Sequence, residues 1–165
     1  MHFGAFYFPT DYGIDIAELA RALEERGFES LFVCEHTHIP VSRRTPFPGG
    51  GELPKRYVHT HDPFVALSFA AAATKKIKLG TSIVNIYSRS PALMAMTAAT
   101  LDEISEGRLI LGIGTSGARV VEGFHGREFK KPLTSWNLDA SLVKRLRFGD
   151  KVSADEKAAI ETALK

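Results

Sequence analysis

The chain is 165 residues long, 44% hydrophobic, with a formal net charge of +2, which is enough to bury one sizeable core and leaves no electrostatic footprint for nucleic acid. One cysteine, Cys34, excludes an internal disulfide framework and fits a reducing compartment. The N-terminus lacks the basic start and small-residue cleavage site of a signal peptide, and no apolar run approaches the ~20 residues of a membrane helix, so a soluble, cytoplasmic globular chain with no membrane partner is expected.

His2 to Phe8 reads as a short apolar strand closed by Pro9. Ile16, Leu19, Ala20 and Leu23 fall at i, i+3, i+4 and i+7, one face of a helix that Gly27 ends. Glu29 to Glu35 is the second strand: apolar without a break from Leu31 to Cys34, it delivers Glu35 and His36 at its C-terminal end. A long loop rich in Pro, Gly and Arg follows, from Thr37 to His61. Asp62-Pro63 is a helix start, an N-cap then a proline in the first turn. Ile77 to Ile86 is the third strand, Ser90-Pro91 repeats the helix-start device, and Arg108 to Ile113 is the fourth strand.

Strands and helices in alternation, with nearly all-apolar strands, predict parallel pairing under a cover of helices. "KIKLGTS" echoes "GRLILGIGTS", so the unit repeats weakly. Binding groups in parallel architectures collect at the C-terminal strand ends, where Glu35-His36, Thr81-Ser82 and Thr115-Ser116 all lie. After Leu133 the texture changes, dividing the chain into residues 1–133 and a helical tail over 134–165, with a helix-like stretch from Asp139 to Arg147 and no fifth strand. A parallel sheet of four strands leaves open edges and uncovered apolar surface. Self-association is therefore expected, two copies closing an eight-stranded barrel. The alternative cover is the tail, using Leu138, Leu142, Val143 and Leu146.

Two readings of this rim come from local patterns. Gly112 to Gly117 matches the dinucleotide motif G-x-G-x-x-G after a strand. That motif also needs a helix opening at its end and a further strand, and here "ARVVEGFHG" is broken by Gly123 and Gly126 with no strand following, so a Gly-rich turn is the preferred reading. The second is a metal-dependent hydrolase. "HTH" occurs at His36–His38 and His59–His61, and His-x-His on a strand puts both rings on one face. Four imidazoles could then meet one metal, with Glu35 or Asp62 as carboxylate; against this stand solvated loop histidines, and no metal ligand is assigned.

A third reading is a family. The segments "ELARALEERGFESLFVCEH", "DPFVALSFAAAATKKIKLGTSIV", "SPALMAMTAATLDEISEGRLILGIGTSG" and "VVEGFHGREFKKPL" keep order and spacing. Together they make residues 1–133 resemble the luciferase-like monooxygenase superfamily, flavin- and deazaflavin-dependent (β/α)8 barrels. The "GTSG…VVEGFHG" run looks most like members using coenzyme F-420, an 8-hydroxy-5-deazaflavin, with FMN as the alternative cofactor. The fold implied is α/β, a parallel (β/α) half-barrel made of the first four βα units of a TIM barrel.

The resemblance implies roles. The acid-His pair after strand two, Glu35 and His36, would face the reactive side of the cofactor ring as the catalytic pair. His36 suits a proton role, and Glu35 would orient it or raise its pKa; the bland alternative for Glu35 is a salt bridge to Arg43 or Arg44. The turn after strand three, Thr81-Ser82-Ile83, would bulge against the ring's back face, and some members have a non-proline cis peptide there. Gly114, Thr115 and Ser116 would touch the ring or ribityl hydroxyls. Cys34 reads as a small buried core residue rather than a nucleophile. The implied activity is hydride transfer or monooxygenation of a small organic substrate.

A full barrel runs ~250 residues, so four units make half of one. The ending "GDKVSADEKAAIETALK" instead resembles the helical lid of the seventy-kilodalton heat-shock chaperones. A truncated or fused gene would explain both the missing half and the tail. A non-catalytic half-barrel that only folds or associates stays open beside the enzyme.

Overall fold

The structure is a computed structural model that describes residues 1–42, 44 and 46–130. The proposed tail over 134–165, its Asp139–Arg147 helix and Arg43 lie outside the described residues.

The first strand, β1, spans Gly4–Tyr7. Helix α1, Ile16–Glu25, opens where the Asp15 carboxylate accepts from the backbone N–H groups of Ala17 and Glu18 (2.9 and 3.0 Å), satisfying donors that a helix start leaves orphaned. Gly27, at φ +76°, follows its end, the left-handed position that glycine takes without steric cost. Strand β2 is Ser30–Val33. A long loop carries one turn of 3-10 helix, Lys55–Tyr57, before α2, Pro63–Ala73, which Asp62 caps. Strand β3, Lys78–Thr81, and the short β4, Val84–Asn85, precede α3, Pro91–Ile104, capped by Ser90. Two short strands, β5 (Leu109–Ile110) and β6 (Ile113–Gly114), lead to α4, Ala118–Gly123.

Among the described residues, β1, β2, β3 and β5 form one sheet in that order, every neighbour parallel, and β4 pairs with β6 in parallel beyond it. Alternation along each strand decides which side chain goes where. Leu31, Val33 and Leu79 are fully buried against Ala20, Leu67, Ala70 and Ala98 of the helices. The other face carries a row in register, Phe6, Phe32, Gly80 and Ile110. The Phe32 ring lies across Gly80: a Cβ there would stand 2.2 Å from its Cε1. In this row Phe6 is 54% and Ile110 38% exposed, so the concave face is apolar and open. The architecture is the expected parallel α/β half-barrel. No helix among the described residues is long and apolar enough to cross a membrane.

Two elements differ from the sequence reading. The third strand breaks after Thr81 instead of running to Ile86. Gly80 faces Ile110 and Val84 faces Ile113, so Thr81, Ser82 and Ile83 oppose only Leu111 and Gly112, a β-bulge. The Thr81 hydroxyl bridges the gap in the ladder, donating to the Gly112 carbonyl (2.8 Å) and accepting from its N–H (2.9 Å). The second difference is α4. A helix does open at the end of the G-x-G-x-x-G stretch, with Gly117 as its N-cap, although that run was expected to be broken by its glycines; it stops at Gly123.

Candidate functional site

The bulge and the end of β2 share the sheet's C-terminal rim, and Glu35 joins them. Its carboxylate side chain is 4% exposed. Oε2 accepts from the Asn85 N–H (2.8 Å) and from the Ser88 hydroxyl (3.2 Å), while Oε1 accepts from Arg89 Nη1. Arg89 Nη2 in turn donates to Asp62 Oδ2 at 2.6 Å, and its guanidinium lies over the Phe64 ring, 5.0 Å from the centroid. The ion-pair partner expected for Glu35 among Arg43 and Arg44 is thus Arg89. An arginine does pair with Glu35, but a distant one, because the segment after β4 folds back over the end of β2.

His36 is oriented differently from the expectation. Among the described residues no hydrogen bond joins it to Glu35 or uses its ring nitrogens. Aromatic rings hold it instead: Phe8 stacks on it (centroids 5.6 Å apart, planes at 6°) and Tyr57 packs at 4.6 Å with a 59° tilt. Burial pushes its pKa below the ordinary histidine value, and the opposing pull of the Glu35 charge is the smaller effect. His36 is therefore kept neutral by its apolar surroundings rather than charged by its neighbour. Sequence reasoning missed Phe8, Tyr57 and Arg89; only Arg89, a cation just before a capped helix, left a local trace.

The remaining candidates fall into pairs. Thr81 and Gly112 are locked together by the bonds described above, with Thr81 buried. Ile83 and Gly114 meet directly: Ile83 is 51% exposed, and a Cβ on Gly114 would stand 1.9 Å from its Cδ1. The peptide bond between Ser82 and Ile83 is cis, at the point where the family resemblance allows one. Ser82 and Ser116 are exposed, Thr115 is partly so, and Ser116 takes a φ of +57°. A cleft of about 230 Å³ at the end of β2 is lined by Glu35, His36, Thr60, His61 and Asp62 among others; Ser82 and Thr115 are not in its lining.

The four imidazoles do not converge: His36 and His61 line the same cleft, but His38 and His59 turn elsewhere. His38 stacks on Phe124 at 3.9 Å and bonds the Thr37 hydroxyl (2.7 Å). Burial, then the neighbouring His125, lower its pKa. His59 Nδ1 sits 2.8 Å from Asp11 Oδ1. Among the described residues no three His, Cys, Asp or Glu side chains are grouped to hold a metal ion, so the four-imidazole reading loses its ligand set: the two triplets lie on separate stretches of loop. Burial pushes the Cys34 thiol up to about 11, leaving it protonated and a core residue.

Comparison with known proteins agrees with this geometry. A family model described as luciferase-like monooxygenase matches residues 5–156. An uncharacterized protein of Mycobacterium tuberculosis is 43% identical over 117 residues, 69% of this chain and 42% of that protein. The 5,10-methylenetetrahydromethanopterin reductase of Methanopyrus kandleri is 33% identical over 138 residues, 84% of this chain and 33% of the reductase. A solved structure of the coenzyme F-420-dependent tetrahydromethanopterin reductase from the same organism superposes with a TM-score of 0.64 at 28% identity, covering 87% of this chain and 39% of that one. The chain thus spans less than half the length of these relatives.

Proposed function

Because the chain belongs to the luciferase-like monooxygenase family, we propose that it contributes the ring-binding half of a deazaflavin-dependent oxidoreductase, with coenzyme F-420 as cofactor and FMN as the alternative. The observation that carries this reading is the bulged rim: a half-exposed Ile83 packed on Gly114 beside the exposed Ser82. Such a rim offers a planar ring an apolar platform and close backbone approach. Ile83, Ser82 and Gly114 would hold the ring, and Thr115 and Ser116 would meet its polar side chain. When bound, the deazaflavin supplies hydride chemistry.

The protein's own groups do the rest. His36, neutral and with free ring nitrogens, takes or gives the substrate proton. Glu35 acts at one remove: by fixing the Asn85 N–H and the Ser88 hydroxyl it sets the position of the segment that leaves the bulge. Thr81 holds the bulge against Gly112. We assign the proton role to His36 alone and treat Glu35 and Thr81 as positioning residues. Work in the reducing cytoplasm fits the single buried thiol.

The second reading, a non-catalytic half-barrel that only associates, is favoured by the open Phe6 and Ile110; burying them against a second copy would make a homo-oligomer. Titration of the purified chain with F-420 and with FMN separates the two. A fluorescence change on adding F-420, retained in His36→Ala while hydride transfer is lost, supports the oxidoreductase. No change with either cofactor overturns it.

A further inference from the structure

The sheet ends in two open edges and a bare concave face. Among the described residues β1 has β2 as its only ladder partner and β5 has β3. The far side of each edge strand therefore carries backbone donors and acceptors that no strand meets. Between the edges runs the apolar row of Phe6, Phe32, Gly80 and Ile110, whose two end members are the exposed ones. Lys78, two residues before Gly80 on the same face, is already paired with Glu29 at 2.8 Å, so covering the face buries no lone charge there.

Strand count and direction set what fits. A parallel βα barrel closes at eight strands, and this sheet holds four, all parallel. Residues 131–165 are too few for the four further units that closure takes, at about 30 residues for each strand-helix-strand unit. A second copy supplies all four. A two-fold along the barrel axis sets each β5 against the partner's β1 in the parallel sense that both edges require, and makes two identical seams. The exposed Phe6 and Ile110 then meet their counterparts at those seams.

The seam also crosses the C-terminal rim. There the end of β1 borders a cleft of about 380 Å³ lined by Phe6, Phe8, Thr10, Tyr12, Lys55 and Arg56 among others. Lys55 lies over the Tyr12 ring, 4.3 Å from its centroid, and Arg56 over Phe8 at 5.1 Å. Among the described residues no carboxylate pairs with either cation. The same two-fold brings this cleft beside the partner's Gly114, Thr115 and Ser116, the positions assigned to the cofactor.

We propose that two copies close one barrel through this face and that each cofactor site is built across the seam. Ile83 and Gly114 of one copy hold the ring, and the partner's Lys55 and Arg56 hold the phosphate that both F-420 and FMN carry. Two unpaired cations over an aromatic floor suit such a group. Association and cofactor binding are then parts of one design rather than rival readings. The shared site rests on the flavin or deazaflavin reading; the closure does not.

Sedimentation of the full chain at micromolar concentration tests the closure. The parent is expected to run as a dimer. Ile110→Asp and Phe6→Asp should run as monomers that keep the parent's circular dichroism, and Phe69→Asp, on the exposed side of α2, as a dimer. A monomeric parent, or a dimer that Phe69→Asp breaks and the two concave-face variants do not, would overturn the proposal. F-420 fluorescence tests the sharing. Lys55→Glu with Arg56→Glu in one chain, and Ser116→Glu in another, should each weaken binding at least tenfold. Refolded together in equal amounts, the two should regain about a quarter of the parent's sites, because half of the dimers join one intact rim to one intact cleft. No recovery, where the parent binds F-420, would put rim and cleft in the same copy and overturn the shared site. A dimeric parent that titrates with neither cofactor would uphold the closure and remove the shared site together with the cofactor reading.

Discussion

Glu35 and Arg89, 54 positions apart in the chain, form an ion pair whose side chains are only 4% and 13% exposed. Through it the end of β2 is joined to the approach of α3, and through Asp62 to the first turn of α2. Three elements of the rim therefore share one guanidinium.

Removing that guanidinium leaves a buried carboxylate with only the Asn85 N–H and the Ser88 hydroxyl for company. Breaking one partner of a buried pair typically costs ~3–5 kcal/mol, because the remaining charge stays desolvated. Arg89→Leu should accordingly lower the unfolding free energy by about 3 kcal/mol in urea titration. Glu35→Gln, which keeps an acceptor for Asn85 and removes the charge, should cost less. Equal stability of Arg89→Leu and the parent chain would show that the pair is solvated in solution.

The bulge gives a second comparison. At Gly112 a Cβ would stand 2.1 Å from the Thr81 carbonyl oxygen, a backbone atom held by the ladder; at Gly114 it would meet Ile83 Cδ1, the free end of a flexible side chain. Overpacking against fixed atoms costs ~1–3 kcal/mol, so Gly112→Ala should fall at the upper end. Gly114→Ala should cost under about 1 kcal/mol, and Ile83→Val should recover part of it. The reverse order in thermal or urea unfolding would refute the bulge geometry.

How far the sequence revealed this follows from range. Asp62-Pro63 and Ser90-Pro91 mark helix starts through bonds to residues two or three positions on, and both were legible. So was the parallel sheet, since Leu31 and Val33 are part of an unbroken apolar run and Leu79 and its neighbours repeat the strand-then-rim pattern seen again at Leu109–Ser116. The bulge was not visible in the residues themselves, because it is an offset between two strands 30 residues apart; the family resemblance alone pointed to it. Arg89 was missed for the same reason, its partners being supplied by β2 and α2. The His-Thr-His triplets suggested convergence only because strand periodicity was applied to loop, where Asp11 and Phe124 decide the ring directions instead.

At the opposite end of the sheet, Glu24 accepts from the backbone N–H groups of Lys75, Lys76 and Ile77, just ahead of β3. Burial alone would raise its pKa, but these three bonds and the nearby Arg108 outweigh it and hold the carboxyl below the ordinary glutamate value. A lowered folded pKa means stability present above the unfolded value and lost as pH falls through the folded one. The stability gap between the parent and Glu24→Gln should therefore be widest near neutrality and narrow below the ordinary glutamate range, read as melting midpoint against pH. A gap independent of pH would exclude the ionised carboxylate as its source.

His36 supplies the last prediction. Burial in a three-ring cluster with Phe8 and Tyr57 lowers its pKa, with the Glu35 charge opposing and the net direction downward. The ring-proton NMR titration of His36 should consequently have its midpoint below the unperturbed ~6.5, and Glu35→Gln should move it lower still by removing the one favourable charge. For a depressed histidine the unfolded chain binds the proton more readily, so the contribution to stability is present above the unfolded pKa and is lost as pH falls toward the folded one. The same shift extends the proton-accepting form to more acidic pH, so where His36 accepts the substrate proton in the proposed oxidoreductase the acid limb of the rate profile should lie below that of a free imidazole. A midpoint at or above the unperturbed value would mean that Glu35, rather than the aromatic packing, governs the ring, and would return the acid-His pair to the role its sequence first suggested.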